Sequence, residues 1–335
     1  MSSRIANWRE VIRTQNLAGD REMDVISRWL LIVRASVFPM TLVSGAIGGL
    51  LAAGGPDAAS ANLLYFLAAL VGLVLAHAAN NMINDYFDLE SGVDSDEYVR
   101  GQYAPHPLLS GLVSKGGLLS AVAVANALDL LILVYLANAH GWPIVAFALL
   151  GLFVSIFYVA PPVLLKHRGM GEPGVFLVWG PFMIGGTYLA TTGSIEPWVI
   201  AASLPYALLV MAVLMGKHVD KIEADTAKGI HTLPVLLGEQ NARFVTQTLI
   251  VAFFALVGTL VLTGTLPVWT LLSFLALPRA ARTLSTLSKP KPAEPPQEIA
   301  VWPLWFVAWV FLLTRLAGGL FVLGLAVDLA LPWRL

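Results

Sequence analysis

No cysteine occurs anywhere in the 335 residues. That absence excludes disulfides, a thiolate nucleophile and any Cys-based metal site. Charge is nearly as scarce: 12% of the residues are Asp, Glu, Lys or Arg, where a soluble domain carries about a quarter. With 57% hydrophobic residues and a mean hydropathy of +0.76, the chain lacks the polar surface that a water-soluble fold requires. It reads as a polytopic membrane protein. An excess of one sign is also missing. The formal net charge of −1 argues against a nucleic-acid partner and against a polybasic membrane anchor. The first 28 residues show no short apolar core followed by a small-residue cleavage site, so they do not read as a signal peptide. Arg4, Arg9, Arg13, Arg21 and Arg28 are interleaved there with acids, as in a cytoplasmic amphipathic segment, 1–28, leading into a membrane domain, 29–335.

What the chain has in plenty is apolar runs of roughly 20 residues, long enough to cross a bilayer as helices. Nine are read, at about 29–53, 62–83, 117–138, 142–161, 170–192, 197–216, 245–264, 266–284 and 302–327. Lys and Arg gather on alternate connections: Arg100 and Lys115; Lys166 and Arg168; Lys217, Lys221, Lys228 and Arg243; Arg279, Arg282, Lys289 and Lys291. The connections at 54–61, 139–141, 193–196 and 265 carry none. By the positive-inside rule this predicts an all-α bundle of nine transmembrane helices with a cytoplasmic amino terminus. Cytoplasmic connections 2–3 and 6–7 are the long ones, and long connections that stay ordered are usually functional. The tract SKPKPAEPPQE at 288–298 is a proline-rich linker.

Both long connections are acidic. Residues 80–98, NNMINDYFDLESGVDSDEY, hold six of the 21 acids directly after an apolar run. His77, Asn81, Asn84 and Asp88 recur at helical spacing and form one polar stripe, with Asp85 beside it. Gly92 lets the chain turn and bring Asp94 and Asp96 back over the same opening. Such an oxygen-rich set suits Mg²⁺, which keeps several waters and shares substrate phosphates. Asp96 and Glu97 fit solvated loop acids better. Polar groups at the mouth of a membrane helix face a cavity or a partner by default, which favours function for Asn84, Asp85 and Asp88. The second site, KHVDKIEADTAKGIHTLPVLLG at 217–238, lies on the same membrane side and repeats the plan. Each is an apolar helix, then carboxylates, then a small motif, HPLLSG at 106–111 and HTLPVLLG at 231–238. Weak internal repeats of this kind frame central sites in membrane proteins.

Taken together, these motifs resemble those of the UbiA superfamily of membrane prenyltransferases. NDYFDLESGVD resembles its first Asp-rich motif, in the spacing of the branch that prenylates dihydroxynaphthoate to make menaquinone. EADTAKGIHTLPVLLG resembles the second motif, and FYVAPPVLLKHRGMGEPGVFLVWGPFMIGGTYLATTG at 157–193 resembles the region between helices 4 and 5. The resemblance covers roughly residues 29–265. It implies a nine-helix bundle around a central cavity in the plasma membrane, with active-site loops in the cytoplasm. It also implies Mg²⁺ as cofactor, a prenyl diphosphate donor and a hydrophobic aromatic acceptor, with the isoprenoid tail lying against membrane lipid.

By that resemblance Asn84, Asp85, Asp88, Asp94, Asp220 and Asp225 would hold metal, with Glu223 as a helper. Arg34, Asn81, Asn84, Lys166 and Arg168 would bind substrate, and His106 and His231 would stand where the family usually has Arg. Asp88, Asp225, Lys166 and Tyr158 would carry catalysis, Tyr158 by offering its ring face to an allylic cation. The second motif departs from the family at Lys221, where Asp is usual. Asp220 is displaced by one residue and on a straight helix would point roughly 140° from Asp225. Either Asp220 takes over a metal or Lys221 and Asp225 form an ordinary i,i+4 pair. Two other functions are weighed: a terpene cyclase that ionises the donor without an acceptor, and an ion-coupled transporter. The transporter is disfavoured because its site would lie nearer the midplane.

Overall fold

A computed structural model describes residues 2–19, 21–93, 99–296 and 301–335. Inside a bilayer only a helix or a closed barrel satisfies every backbone group, so long apolar runs fold as helices. Seven helical stretches are long and apolar enough to cross: Ala35–Gly54, Leu63–Glu90, Lys115–His140, Gly171–Thr192, Pro197–Val219, Glu239–Leu262 and Phe306–Ala330. Among the described residues there is no strand, only an isolated parallel bridge between Arg168 and His231.

In chain order the helices are α1 Ser2–Thr14, α2 Val25–Ile32, α3 Phe38–Gly54, α4 Leu63–Glu90, α5 Val99–Tyr103, α6 Lys115–His140 and α7 Trp142–Phe157. There follow α8 Gly171–Leu177, α9 Gly186–Thr192, α10 Pro197–Val219, α11 Ile222–Ala227, α12 Leu233–Leu237, α13 Glu239–Leu262, α14 Leu277–Leu287 and α15 Phe306–Ala330. Two of the nine expected runs fall short of a spanning helix. The fourth gives the 16-residue α7. The eighth becomes a 3-10 segment, Val268–Ala276, before α14, which Pro278 opens. Proline lacks an N–H, so it begins a helix more readily than it continues one.

Two other runs are interrupted where they meet the site. The first breaks between α2 and α3, with Arg34 in the left-handed region at φ +54°. The fifth widens to a π-helix over Val178–Gly185, around Pro181, between α8 and α9. Close approach there depends on glycine. A Cβ on Gly48 of α3 would stand 2.5 Å from the Ile184 carbonyl oxygen, and one on Gly180 would stand 2.5 Å from Cβ of Ala207 in α10. Small residues of this kind let membrane helices pack backbone to backbone.

Helix α10 is the spine of the bundle. Tyr206, Leu209, Val210 and Met215 are buried on it, against Phe253 of α13 and Phe306, Val310 and Phe321 of α15. The outward faces stay apolar, as with Leu130, Leu131 and Val134 on α6. That pattern suits lipid as the surrounding solvent. Between α4, α6, α7, the π segment, α10 and α15 lies one cavity of about 1000 Å³. Its depth is mostly apolar, lined by Leu73, Leu133, Phe147 and Phe182 with the carboxyl group of Asp129 among them, while Arg34, Asn81, Asn84, Tyr158 and Lys217 line its mouth.

Candidate active site

Asn62 starts α4 by accepting from the Leu64 and Tyr65 N–H groups, and 28 residues later the helix delivers its polar stripe to the cavity mouth. His77, Asn81, Asn84, Asp85 and Asp88 are all buried. His77 Nδ1 lies 2.7 Å from Thr41 Oγ1 of α3, and Asn81 Nδ2 donates to the Val33 carbonyl at 2.9 Å. Asn81, expected to bind substrate, thus spends its amide on the break after α2. That break sets Arg34 so that its guanidinium reaches Asp85.

Asp85 is fully buried, and a second arginine meets it. Arg100 on α5 donates to one oxygen with Nη1 and to the other, Oδ2, with Nη2 at 3.0 Å. A buried carboxylate holding two guanidinium groups is a structural clamp, since removing either side would strand charge in the interior. Asp85, expected to hold metal, thus meets Arg34, expected to bind substrate, and Arg100, which had no expected role. Arg100 was legible only as a charge in the right connection.

Asp88 is arranged differently. Both its oxygens lie 2.9 Å from Lys166 Nζ. Lys166 sits on a tight turn, Leu165–His167, whose geometry is fixed by its own N–H donating to the Tyr158 carbonyl at 2.9 Å. Gly171 lets the Tyr158 ring close on that turn, because a Cβ there would stand 3.1 Å from Cε2. Burial, then the Lys166 charge, holds the neighbouring His167 imidazole below its ordinary pKa. One turn before Asp88, the Asn84 Oδ1 is buried without a hydrogen-bond partner. An unsatisfied carbonyl oxygen beside a lysine-held carboxylate is a site for a ligand.

The second motif folds against the first. Lys228 Nζ donates to the Gly92 carbonyl at 2.9 Å, and Val93 packs on Ile230 and Ala224. Asp225, on α11, is fully buried with Lys221 Nζ 3.7 Å away, the i,i+4 pair. Asp220 has another task than the expected one. Its two oxygens accept the Phe306 and Val307 N–H groups, each at 3.0 Å, and so cap the start of α15. The straight-helix argument fails because the chain turns at Asp220 and Lys221 between α10 and α11. Burial pushes the Asp220 carboxyl up to about 6.

Other expected site residues stand apart. Arg168 is exposed and donates to the Pro162 carbonyl at 3.1 Å, while its backbone bridges to His231, which is also exposed. His106 is buried and uses Nδ1 to accept the Leu108 and Leu109 N–H groups. Asp94 and Asp96, with Glu97, lie outside the described residues. Sequence reasoning also missed a buried pair beneath the site. His218 Nδ1 lies 2.6 Å from Glu172 Oε1, linking α10 to α8. A carboxylate at the start of an apolar run was the available signal.

For Mg²⁺ the donor sets differ. Asn84 on the cavity lining and Asp88 one turn further on offer oxygens, one of them unsatisfied, and an Mg²⁺ site needs no more than one or two carboxylates beside substrate oxygens. They fit the ion. At the second motif Asp220 is spent on backbone, and buried Asp225 has Lys221 3.7 Å away. Among the described residues no three His, Asp or Glu side chains gather as a metal cluster.

An all-helical bundle of long apolar helices around an internal cavity defines a class: an integral membrane protein with a chamber between its helices. The profile of the UbiA prenyltransferase family matches residues 41–299, and the chain belongs to that family. It is 28% identical over 226 residues to a 1,4-dihydroxy-2-naphthoate octaprenyltransferase of Bacillus subtilis, covering 67% of this chain and 71% of that one. It is 28% identical over 222 residues to a chloroplastic 2-carboxy-1,4-naphthoquinone phytyltransferase of Arabidopsis thaliana, 64% of this chain and 56% of that one. A UbiA homolog from Archaeoglobus fulgidus bound to DMAPP and Mg²⁺ superposes with TM-score 0.61 at 19% identity, covering 88% of this chain and 99% of that one. The apo UbiA homolog from Aeropyrum pernix K1 gives TM-score 0.65 at 18% identity, covering 87% and 97%. These structures share the fold.

Proposed function

We propose that this prenyltransferase moves an isoprenoid group from a prenyl diphosphate to an aromatic acceptor of the quinone-precursor type. In this reading it crosses the plasma membrane nine times, with the amino terminus and both acidic motifs in the cytoplasm. The observation that carries the reading is the unsatisfied Asn84 oxygen on the lining of a cavity of about 1000 Å³, one turn of helix from Lys166-held Asp88. The head group sits at that mouth and the tail lies in the apolar depth, open to membrane lipid.

Asn84 and Asp88 would hold Mg²⁺, which supplies countercharge to the diphosphate as its negative charge develops. Lys166, whose ammonium lies 2.9 Å from both Asp88 oxygens, would offer it to the diphosphate beside that carboxylate. Arg34 and Lys217 line the same mouth and add to the positive field in a low-dielectric setting. The donor C–O bond breaks and its electron pair leaves with diphosphate. Tyr158 presents its buried ring to the allylic cation. A ring carbon of the acceptor supplies the pair for the new C–C bond, and its proton passes to the diphosphate. The apolar walls exclude water, which would otherwise capture the cation.

The relatives that act on naphthoate and naphthoquinone substrates support an aromatic acceptor. The test gives membranes carrying the protein labelled prenyl diphosphates of several lengths, with and without aromatic acceptors, in Mg²⁺ or in chelator. Prenylated acceptor formed only with Mg²⁺ is the expected product. Cyclic hydrocarbon or alcohol formed without acceptor would replace the transferase with a cyclase, and no diphosphate release would end both.

A further inference from the structure

Helix α6 carries a carboxylate into the interior of the bundle. Asp129 lies near the middle of this 26-residue helix and lines the cavity, with Asn126 one turn before it on the same face. Opposite stands Gly72 of α4, whose missing side chain makes room for the carboxyl: a Cβ there would stand 3.4 Å from Asp129 Oδ1. Among the described residues that carboxyl has no hydrogen bond or ion pair. Arg315 of α15, another charged residue on the cavity lining, lies instead over the Phe311 ring, 5.8 Å from its centroid. An ionisable group inside a membrane bundle marks a functional site by default.

We propose that Asp129 limits the length of the isoprenoid donor: chains that end before its carboxyl are accepted, and chains that must lie across it are disfavoured. The proposal rests on the prenyl-diphosphate reading above, with the head group at the mouth and the tail in the depth. Helix geometry supplies the length. Asn84 at the mouth and Gly72 opposite Asp129 lie twelve residues apart on α4, or about 18 Å at about 1.5 Å per residue. An extended chain advances about 1.2 Å per bond, as a polypeptide does, so a four-bond isoprene unit spans about 4.5 Å. A farnesyl chain of three units therefore ends short of Asp129, and the fifth unit of a longer chain must cross it. Crossing is unfavourable, because hydrocarbon laid on a carboxylate strips its hydration and returns no hydrogen bond. Beyond Asp129 the lining is apolar again, at Leu133, Leu136 and Ile144. The charge, rather than any lack of apolar wall, is what stops the chain.

The experiment gives detergent-solubilised full chain an equimolar mixture of labelled farnesyl and hexaprenyl diphosphates, with Mg²⁺ and a hydroxynaphthoate or hydroxybenzoate acceptor, and follows consumption of each donor. Competition in one vessel gives the ratio of their kcat/KM values, and comparison of parent with variant cancels unequal partition into detergent. The parent should favour the farnesyl donor by roughly 10- to 100-fold, the scale of leaving a buried polar group unsatisfied. Asp129→Leu should close most of that gap by raising consumption of the hexaprenyl donor. A merely structural effect would slow both donors together and leave the ratio unmoved. Where Asp129→Leu yields no folded protein, Asp129→Asn, uncharged and of the same size, reads the same ratio. Equal use of both donors by the parent overturns the proposal and leaves the function intact. A parent preference that persists in the variant overturns Asp129 as its cause. Consumption of neither donor by the parent overturns the function itself, and the proposal with it.

Discussion

The ends of α4 and α10 read as repeats, but the structure uses their acids in opposite ways. On α4, which runs unbroken to Glu90, Asp85 locks two arginines and Asp88 holds Lys166 one turn from an unsatisfied Asn84 oxygen on the cavity lining. On α10 the helix stops at Val219, so Asp220 turns outward to α15 and Asp225 falls on a separate short helix with its own lysine. Two sequences of similar composition thus give one site whose acids share a single helix and one whose acids are divided between a cap on α15 and a separate short helix. What decides is where the helix ends, since a continuous helix keeps its acids on one face and a turn distributes them.

Asp88→Ala breaks this comparison most sharply. It removes an oxygen proposed to hold Mg²⁺ and strands Lys166 in a buried site. Prenyl transfer should fall by about 10²- to 10³-fold, the scale of losing one preorganised electrostatic partner, with expression largely intact. Turnover near the parent level, measured as prenylated product per folded molecule, would refute the assignment of the first motif.

Asp220→Ala comes next and is expected to act on stability. Two buried N–H groups at the start of α15 lose their acceptors, at roughly 1–3 kcal/mol for each unsatisfied group. The unfolding midpoint in detergent should drop, while folded molecules turn over close to the parent rate. Loss of turnover without loss of stability would return Asp220 to the metal.

That contrast also shows what a sequence can carry. Hydropathy marked every spanning helix, and the period of His77, Asn81, Asn84 and Asp88 placed one face of α4 at the site, because both signals are local. Asp220 could not be read the same way. Its partners are the amides of Phe306 and Val307, 86 and 87 positions away, and nothing within α10 announces them. Arg100 with Asp85, and Glu172 with His218, were hidden for the same reason. Lys221 was visible as a departure, but whether it paired with Asp225 or was bypassed depended on the turn that ends α10. The eighth apolar run was legible as apolar but not as a 3-10 segment, since Pro278 leaves the choice of geometry to packing against α15.

Glu90 sharpens the comparison from the other side. It belongs to the same acidic stretch as Asp85 and Asp88, and by composition alone it would count equally toward a cation site. On the helix, however, it lies two residues past Asp88, about 200° around the axis, and it is exposed. There it pairs with Lys115, itself exposed at the start of α6. Solvent and salt screen such a pair, and exposed pairs contribute little or nothing measurable. Glu90→Gln should therefore leave both the unfolding midpoint and prenyl transfer at parent values, at low and high salt alike. A loss of turnover in Glu90→Gln would mean that the charge of the whole stretch, rather than the orientation of Asn84 and Asp88, attracts the metal and its diphosphate.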